Sequence, residues 1–561
     1  MQNQTNTPTR LATIRRLYFY LVAFISLLII LSALDGLLNT LDEVWLSGWV
    51  DDAQLTVNGG SFIRNAIARS GGLLLVATPI FLIHWGVVRR SVTGQNQPSI
   101  NDERRSTLRK LFLYLASAVA LGYVLVYTYE VIHELIALAL GINIAQSELW
   151  PTGWLHTLLI ILLASGLLTY LTSTIRSDGD YGTEVGYAAN VRQLYQTIAG
   201  LVGLVLMIAG IGGILEVVWQ WVTGQWAEGI GDAYWRNQLS DAGAMLFVGA
   251  LLARSNWNRW QAIVAQNPSE VSAALRRLYL YAAVIISALV TLVPAANLLR
   301  EFLLLAFGTT TTTSSELLAN LTTPIAYTPV GILAWRWHWR LLQQESEKID
   351  ETKDAATVRR IYYYAVSATG LALLWVGSVE ILRSMLDVLF ASGDLWEEPL
   401  ANGLSLLAVG APVWSLHWQA VQRVARQDSA EGGQERSSMP RRVYLYGVAL
   451  VGALLILFYL ASVIYRVLLL LLGDPDPQLF SIQTVDDIAR SVIAAVLWSV
   501  HVWAIRTDSQ LGEHDEEETD VSVAPADKAA QREQLIQQIA MLEAELMAAK
   551  EYLLALDKPD V

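Results

Sequence analysis

The sequence predicts an all-α, polytopic membrane protein of about twelve transmembrane helices, built as six tandem, parallel two-helix hairpin repeats and followed by a C-terminal cytoplasmic helix. Three observations predict it: long apolar runs, a six-residue phrase that recurs six times, and basic residues gathered on one side of the runs. Of 561 residues, 54% are hydrophobic and 16% charged, where a soluble protein carries about a quarter of its residues as charges. The apolar residues collect in runs such as Leu17–Ala33, Leu194–Leu215 and Val443–Ile464. About twenty helical residues cross a hydrocarbon core of roughly 30 Å. Lipid offers the backbone no hydrogen-bond partners, so these runs are expected as helices.

Residues 1–14 form the cytoplasmic N-terminus. The first apolar run is too long for a cleavable signal and lacks a small-residue cleavage site, so it is expected to stay as the first span. Each repeat then opens on a variant of one phrase: "RRLYFY" from Arg15, "RKLFLY" from Arg109, "RQLYQT" from Arg192, "RRLYLY" from Arg276, "RRIYYY" from Arg359 and "RRVYLY" from Arg441. These arginines are 94, 83, 84, 83 and 82 residues apart, a period with one insertion in the first unit. The repeats are expected at 15–90, 109–176, 192–260, 276–342, 359–426 and 441–506. Each holds a long apolar segment, a polar interruption and a second segment. Four of the second segments end in Trp and basic residues: "PIFLIHWGVVRR", "PVGILAWRWHWR", "PVWSLHWQAVQR" and "WSVHVWAIR". The shortest expected span is the sixth, around Asp241–Arg254.

Charge sets the orientation. The joints and hairpin flanks hold 27 Lys and Arg, whereas the tips hold only Arg64, Arg69, Arg236 and Arg490. The tips are acidic instead, with Asp42, Glu43, Asp51, Asp52, Glu148, Glu228, Asp232, Asp394, Glu397, Glu398, Asp474 and Asp476. Basic residues stay cytoplasmic, so both termini and all joints are expected inside a cell inner (plasma) membrane. The arginines of each phrase then read as surface anchors, with Tyr18, Tyr20 and their counterparts in the aromatic belt. An even number of spans per unit makes the repeats parallel, not inverted.

The Arg-Arg-Leu-Tyr-x-Tyr starts and His-Trp ends resemble an uncharacterised bacterial family of duplicated multi-pass domains, a domain of unknown function with members in filamentous phototrophic bacteria and their relatives. The resemblance covers about Arg10 to Arg506. Its motifs are topological, so it implies no catalytic or binding residues. The third unit departs most, with Gln193 and Thr197 inside its phrase and no His-Trp end.

Candidate site residues fall in two sets. Counting 24 and 21 residues from the leading arginines gives polar or small residues throughout, a patch that includes Asn39, Glu130, His133, Glu216, Arg300, Glu380 and Arg383, with Arg466 one residue out of register. Residues three apart share a helix face. The patch reads either as interfacial and structural pairing or as a polar ring around a conduction path. The second set is His84, Trp85, His338, Trp339, His417, Trp418 and His501 at the inner ends of second helices. These read as an amphipathic ring at the headgroup level; the alternative is a haem or chlorin ligand or a pH sensor.

Glu130-Val-Ile-His133-Glu134 fails as a zincin helix because Ala137 stands where the second His belongs. It fails as half of a di-iron bundle because the position related to His133 after Glu380 is Arg383. Cysteine is absent, which excludes disulfides, thiolate ligands and cysteine nucleophiles. No catalytic residue, metal site or cofactor is expected, and a net charge of −13 argues against nucleic acid.

Residues 507–528 form an acidic linker, including "GEHDEEETD", expected to be solvated. In 529–557, Leu535, Ile539, Leu542, Leu546, Ala549, Leu553 and Leu556 alternate spacings of four and three, the seam of a short coiled coil. It is expected to pair with another copy, dock a protein partner or lie on the protein's own face. Beyond the lipid bilayer, that is the expected partner surface. The reading favoured is a non-enzymatic scaffold or assembly subunit, and the alternative is a transporter or channel using the polar patch.

Overall fold

The computed structural model describes residues 10–47, 59–93, 97–142, 153–179, 181–225, 232–308, 313–347, 352–390, 396–473, 481–522 and 525–556. The tip acids Asp51, Asp52, Glu148, Glu228, Asp394, Asp474 and Asp476, the first nine residues and joint residues 348–351 lie outside them. Among the described residues every regular element is a helix. In order these are α1 (Arg10–Ser47), α2 (Gly59–Ser91), α3 (Gln97–Arg104), α4 (Thr107–Ala139), α5 (Trp154–Ser177), α6 (Tyr187–Val222), α7 (Asp232–Gln266) and α8 (Ala274–Phe307). They continue as α9 (Ser314–Asn320), α10 (Thr322–Ser346), α11 (Lys353–Phe390), α12 (Glu397–Ala425), α13 (Ala430–Ser437), α14 (Met439–Leu471), α15 (Ile482–Ser522) and α16 (Pro525–Leu556). A short 3-10 turn, Pro268–Ser272, joins α7 to α8.

Among the described residues eleven stretches are long and apolar enough to cross a membrane: α1, α2, α4, α5, α6, α8, α9 with α10, α11, α12, α14 and α15. The chain is a multi-pass membrane protein. The expected sixth span lies inside α7, which at 35 residues is as long as its neighbours. Its polarity sets it apart, with Asp232, Arg236, Asp241, Arg254 and Arg259 along one helix.

The chain divides into two compact units, Met1–Tyr362 with Glu397–Val409, and Tyr363–Trp396 with Gly410–Val561. In the first, α1 packs on α2, α4 on α5, α6 on α7 and α8 on α10. The first helix of one pair also meets the second helix of the next: α1 with α5, α4 with α7, α6 with α10. Small residues set the closest approach. A Cβ on Gly203 would stand 2.8 Å from the Ala253 amide nitrogen, and one on Gly249 2.6 Å from that of Met207. Contacts that climb α6 (Gly203, Gly210) descend α7 (Ala253, Leu246), so the two helices are antiparallel. Without water to drive association, such small-residue packing holds membrane helices together. Gly308, at φ 76°, ends α8 in the left-handed conformation that only glycine adopts freely.

In the second unit Gly370 of α11 lies against Trp414 of α12, and Gly410 lies against Leu374, again antiparallel. The helices α14 and α15 pack along each other. Tyr364, Trp418, Val421, Tyr444, Leu445 and Ala504 form the core. The stretch Gly512–Asp520, expected as a solvated linker, continues α15; it holds no proline, and its glutamates favour helix. On α16 the seam residues Leu535, Ile539, Leu542 and Leu546 are exposed.

Candidate functional site

Four of the six leading arginines differ from the surface anchors expected of them, while Arg15 and Arg359 are exposed. Arg109, Arg192, Arg276 and Arg441 are all at most 2% exposed. Each opens a helix whose first turns face other helices, and a guanidinium taken out of water needs a matched partner.

Those partners recur at a fixed distance. Arg109 donates two 3.0 Å hydrogen bonds to Asp178, from Nε to Oδ2 and from Nη2 to Oδ1. Arg276 holds Glu345 in the same forked way, and Arg441 holds Asp508 at 2.6 and 2.9 Å. Each carboxylate lies 67 or 69 residues downstream: Asp178 directly after α5, Glu345 in the last turn of α10 and Asp508 within α15. Each guanidinium also lies over an indole from the preceding repeat: Arg109 over Trp85, Arg276 over Trp260, Arg441 over Trp418. A planar guanidinium serves both contacts at once.

A second carboxylate sits six residues before each of these arginines: Glu103, Glu270 and Glu435. Glu103 accepts from the Tyr20 hydroxyl at 2.7 Å and pairs with Arg16. Glu435 accepts from the Tyr364 hydroxyl at 2.6 Å. Glu270 takes Arg192 at 2.6 Å and the Gln193 amide at 3.1 Å, so the departures of the third unit are used. Arg192 also reaches Glu184, 2.8 Å away and fully buried. One constellation of arginine, indole and two carboxylates therefore appears three times, once per pair of hairpins.

The histidines are absorbed into the same frame. The Nδ1 atoms of His84, His338, His417 and His501 lie 2.7–2.8 Å from the carbonyl four residues back. That contact requires Nδ1–H to donate, which leaves Nε2 as an acceptor. Tyr279 donates to His338 and Tyr444 to His501, at 3.4 and 3.1 Å; Tyr18 approaches His84 at 3.4 Å. At the equivalent places of the first copy stand Phe112 and Leu171, buried in one core cluster. Tyrosine and histidine have been exchanged together for two apolar residues, as a packing pair is. Trp85 and Trp418 are buried beneath the arginines, and Trp339 is half-buried on α10. Both ring nitrogens of His84, His338 and His501 thus lie within 3.4 Å of a protein donor or acceptor.

The polar patch is drawn into separate pairs. His133 lies 3.3 Å from Asp241, which also accepts from Tyr129. Glu216 accepts from Thr323 at 2.8 Å. Arg300 lies between Glu301 and Glu398, Arg383 is 3.6 Å from Glu380, and Arg466 is 2.7 Å from Asp487. Asn39 is exposed on α1 and Glu130 half-buried on α4. The structure brings Glu380 to Arg383 but joins none of Glu130, Glu216 and Arg300 to one another. Among the described residues no three His, Asp or Glu are grouped to hold a metal ion.

Sequence reasoning missed Asp35, which accepts from Tyr127 at 2.6 Å and lies 2.8 Å from His156. A lone acid inside the first apolar run was its signal. It also missed Asp42, whose carboxylate accepts from the Gly153 and His156 amides at the start of α5.

Residues 16–168, 193–323 and 360–500 each match the family model of a domain of unknown function, DUF5671. Each match takes in two of the expected repeats, the same grouping in which the arginine constellation recurs. No curated protein and no solved structure matches.

Proposed function

The chain belongs to the DUF5671 family, and on that premise we propose that it is a non-enzymatic scaffold or assembly subunit of the bacterial inner membrane. It is twelve spans in six parallel hairpins, α7 being the sixth span beside the eleven more apolar ones, with joints and termini cytoplasmic. The observation that carries this reading is the fate of the charges. Arg109, Arg192, Arg276 and Arg441, with the patch residues His133, Glu216, Arg300, Glu380, Arg383 and Arg466, are spent on pairs within or between neighbouring hairpins, the use expected of groups that lock a frame. Antiparallel packing within α6–α7 and α11–α12 supports the hairpins. The exposed seam of α16 supplies a surface for a second copy.

The test is the mass of the purified full chain in nanodiscs. An oligomer that Leu542→Lys with Leu546→Lys reduces to a monomer supports the assembly role. A monomer in both proteins removes it.

One observation favours a transport reading. The outer half of α4 lies between two carboxylate–histidine pairs, Asp35 with His156 and Asp241 with His133, and intramembrane ionisable groups often mark proton or ion routes. Proton flux into liposomes that Asp35→Asn and Asp241→Asn abolish would replace the scaffold with a carrier.

A further inference from the structure

In the first unit a cavity of about 60 Å³ opens between α4, α5, α6 and α7 on the joint side of the helices. That is room for several waters or one small anion. Its wall includes Ser117, Arg176, Tyr181, Tyr195 and Arg259.

The carboxylates beside it are already taken. Glu184 accepts from Arg192, from Tyr114 and from the Gly182 amide. Asp178 is held by Arg109 and Lys110. The donors on the wall are in the opposite condition. Arg176 and Arg259 meet no carboxylate among the described residues; Arg176 rests only over the Tyr181 ring, 6.0 Å away. Ser117 is 1% exposed, and its hydroxyl has no hydrogen-bond partner. Arg176 and Arg259 stand at the same place in consecutive repeats, each 67 residues after its leading arginine, Arg109 or Arg192. Among the described residues, two guanidiniums without a carboxylate and a buried unpartnered hydroxyl thus line one cavity.

We propose that this cavity binds a phosphate group, held by the forked donors of Arg176 and Arg259 and by the Ser117 hydroxyl. Guanidinium matches phosphate oxygens in geometry and charge, and basic pockets between membrane helices at the bilayer surface receive lipid headgroups. The group is carried either by an anionic phospholipid or by inorganic phosphate. The site is independent of the scaffold reading, since a rigid frame needs no ligand there.

The experiment uses the full chain in detergent, titrated separately with inorganic phosphate and with short-chain phosphatidylglycerol, reading heat of binding and the unfolding midpoint. Saturable binding of either probe is expected, weakened about tenfold by each of Arg176→Gln and Arg259→Gln, as loss of one charge-assisted hydrogen bond implies. Both arginines are exposed, so these variants keep the wild-type midpoint without ligand. Ser117→Ala removes one oxygen and is expected to weaken binding by a smaller factor. Binding of phosphatidylglycerol alone assigns the group to lipid, binding of inorganic phosphate alone to a soluble ion, and either supports the site. No saturable binding of either probe overturns it, as does binding unchanged in the double arginine variant.

Discussion

Arg109 and Asp178 meet through two parallel 3.0 Å hydrogen bonds, both side chains 2% exposed, across 69 residues of chain. The pair ties the start of α4 to the residue that follows α5, closing a hairpin at its open end. The same closure holds Arg276 to Glu345 and Arg441 to Asp508. Each is laid over an indole of the preceding hairpin, so one guanidinium locks two hairpins.

Breaking that pair from one side leaves a buried charge without its partner, which costs about 3–5 kcal/mol, whereas apolar replacement of both sides is often neutral. Arg109→Met and Asp178→Leu are each expected to lower the unfolding midpoint in detergent sharply. The double variant is expected to recover part of the loss, since Asp178→Leu also takes a carboxylate from the buried Lys110. A double variant as unstable as the sum of the singles would show that the two groups act apart.

Helix class, the hydrophobic spans and the period of the phrase were legible because they depend on local composition and a repeated spacing. The partners of the arginines were not. Asp178, Glu345 and Asp508 lie nearly seventy residues away, after α5 or inside α10 and α15, and nothing adjacent in sequence marks them. Basic residues that collect at one bilayer face look alike whether they lie on the surface or, like Arg192 at 0% exposure, beneath it. Reading six equal units also hid the longer period. The indoles Trp85, Trp260 and Trp418 belong to alternate hairpins, and Trp260 follows an arginine where the others follow a histidine. The length of α7 was hidden by its own charges, which lower its hydropathy without interrupting its helix. In the candidate patch the pairings were not legible, because Glu216 with Thr323 and Arg466 with Asp487 depend on which helices become neighbours.

The exchange of Tyr279 and His338 for Phe112 and Leu171 in the first copy supplies a natural control. Tyr279→Phe alone removes the donor facing His338 Nε2, and a buried acceptor left unsatisfied costs about 1–3 kcal/mol. Adding His338→Leu removes the acceptor as well and reproduces the apolar pair. The unfolding midpoint is expected to fall in the single variant and rise again in the double. A double variant less stable than the single would mean that His338 has a partner or task beyond this hydrogen bond.

Parallel hairpins make a topological prediction that the cysteine-free chain allows to be read without background. Ala430 opens α13 in the joint between α12 and α14, and Ser314 opens α9 at the tip between α8 and α10; both are exposed. If basic joints stay cytoplasmic, Ala430→Cys is shielded from a membrane-impermeant maleimide added to sealed spheroplasts and reacts after the membrane is opened. Ser314→Cys reacts at once. The rule extends around the chain, because every joint lies an even number of spans from every other. Thr93→Cys and Ser269→Cys, both exposed and in two earlier joints, must therefore follow Ala430→Cys. Ser269 is the sharper probe, because it follows α7. If that polar helix does not cross, every joint after it changes sides, and Ser269→Cys and Ala430→Cys label together from outside while Thr93→Cys stays shielded. Reaction of all four cysteines at the same stage would contradict the hairpin arrangement itself.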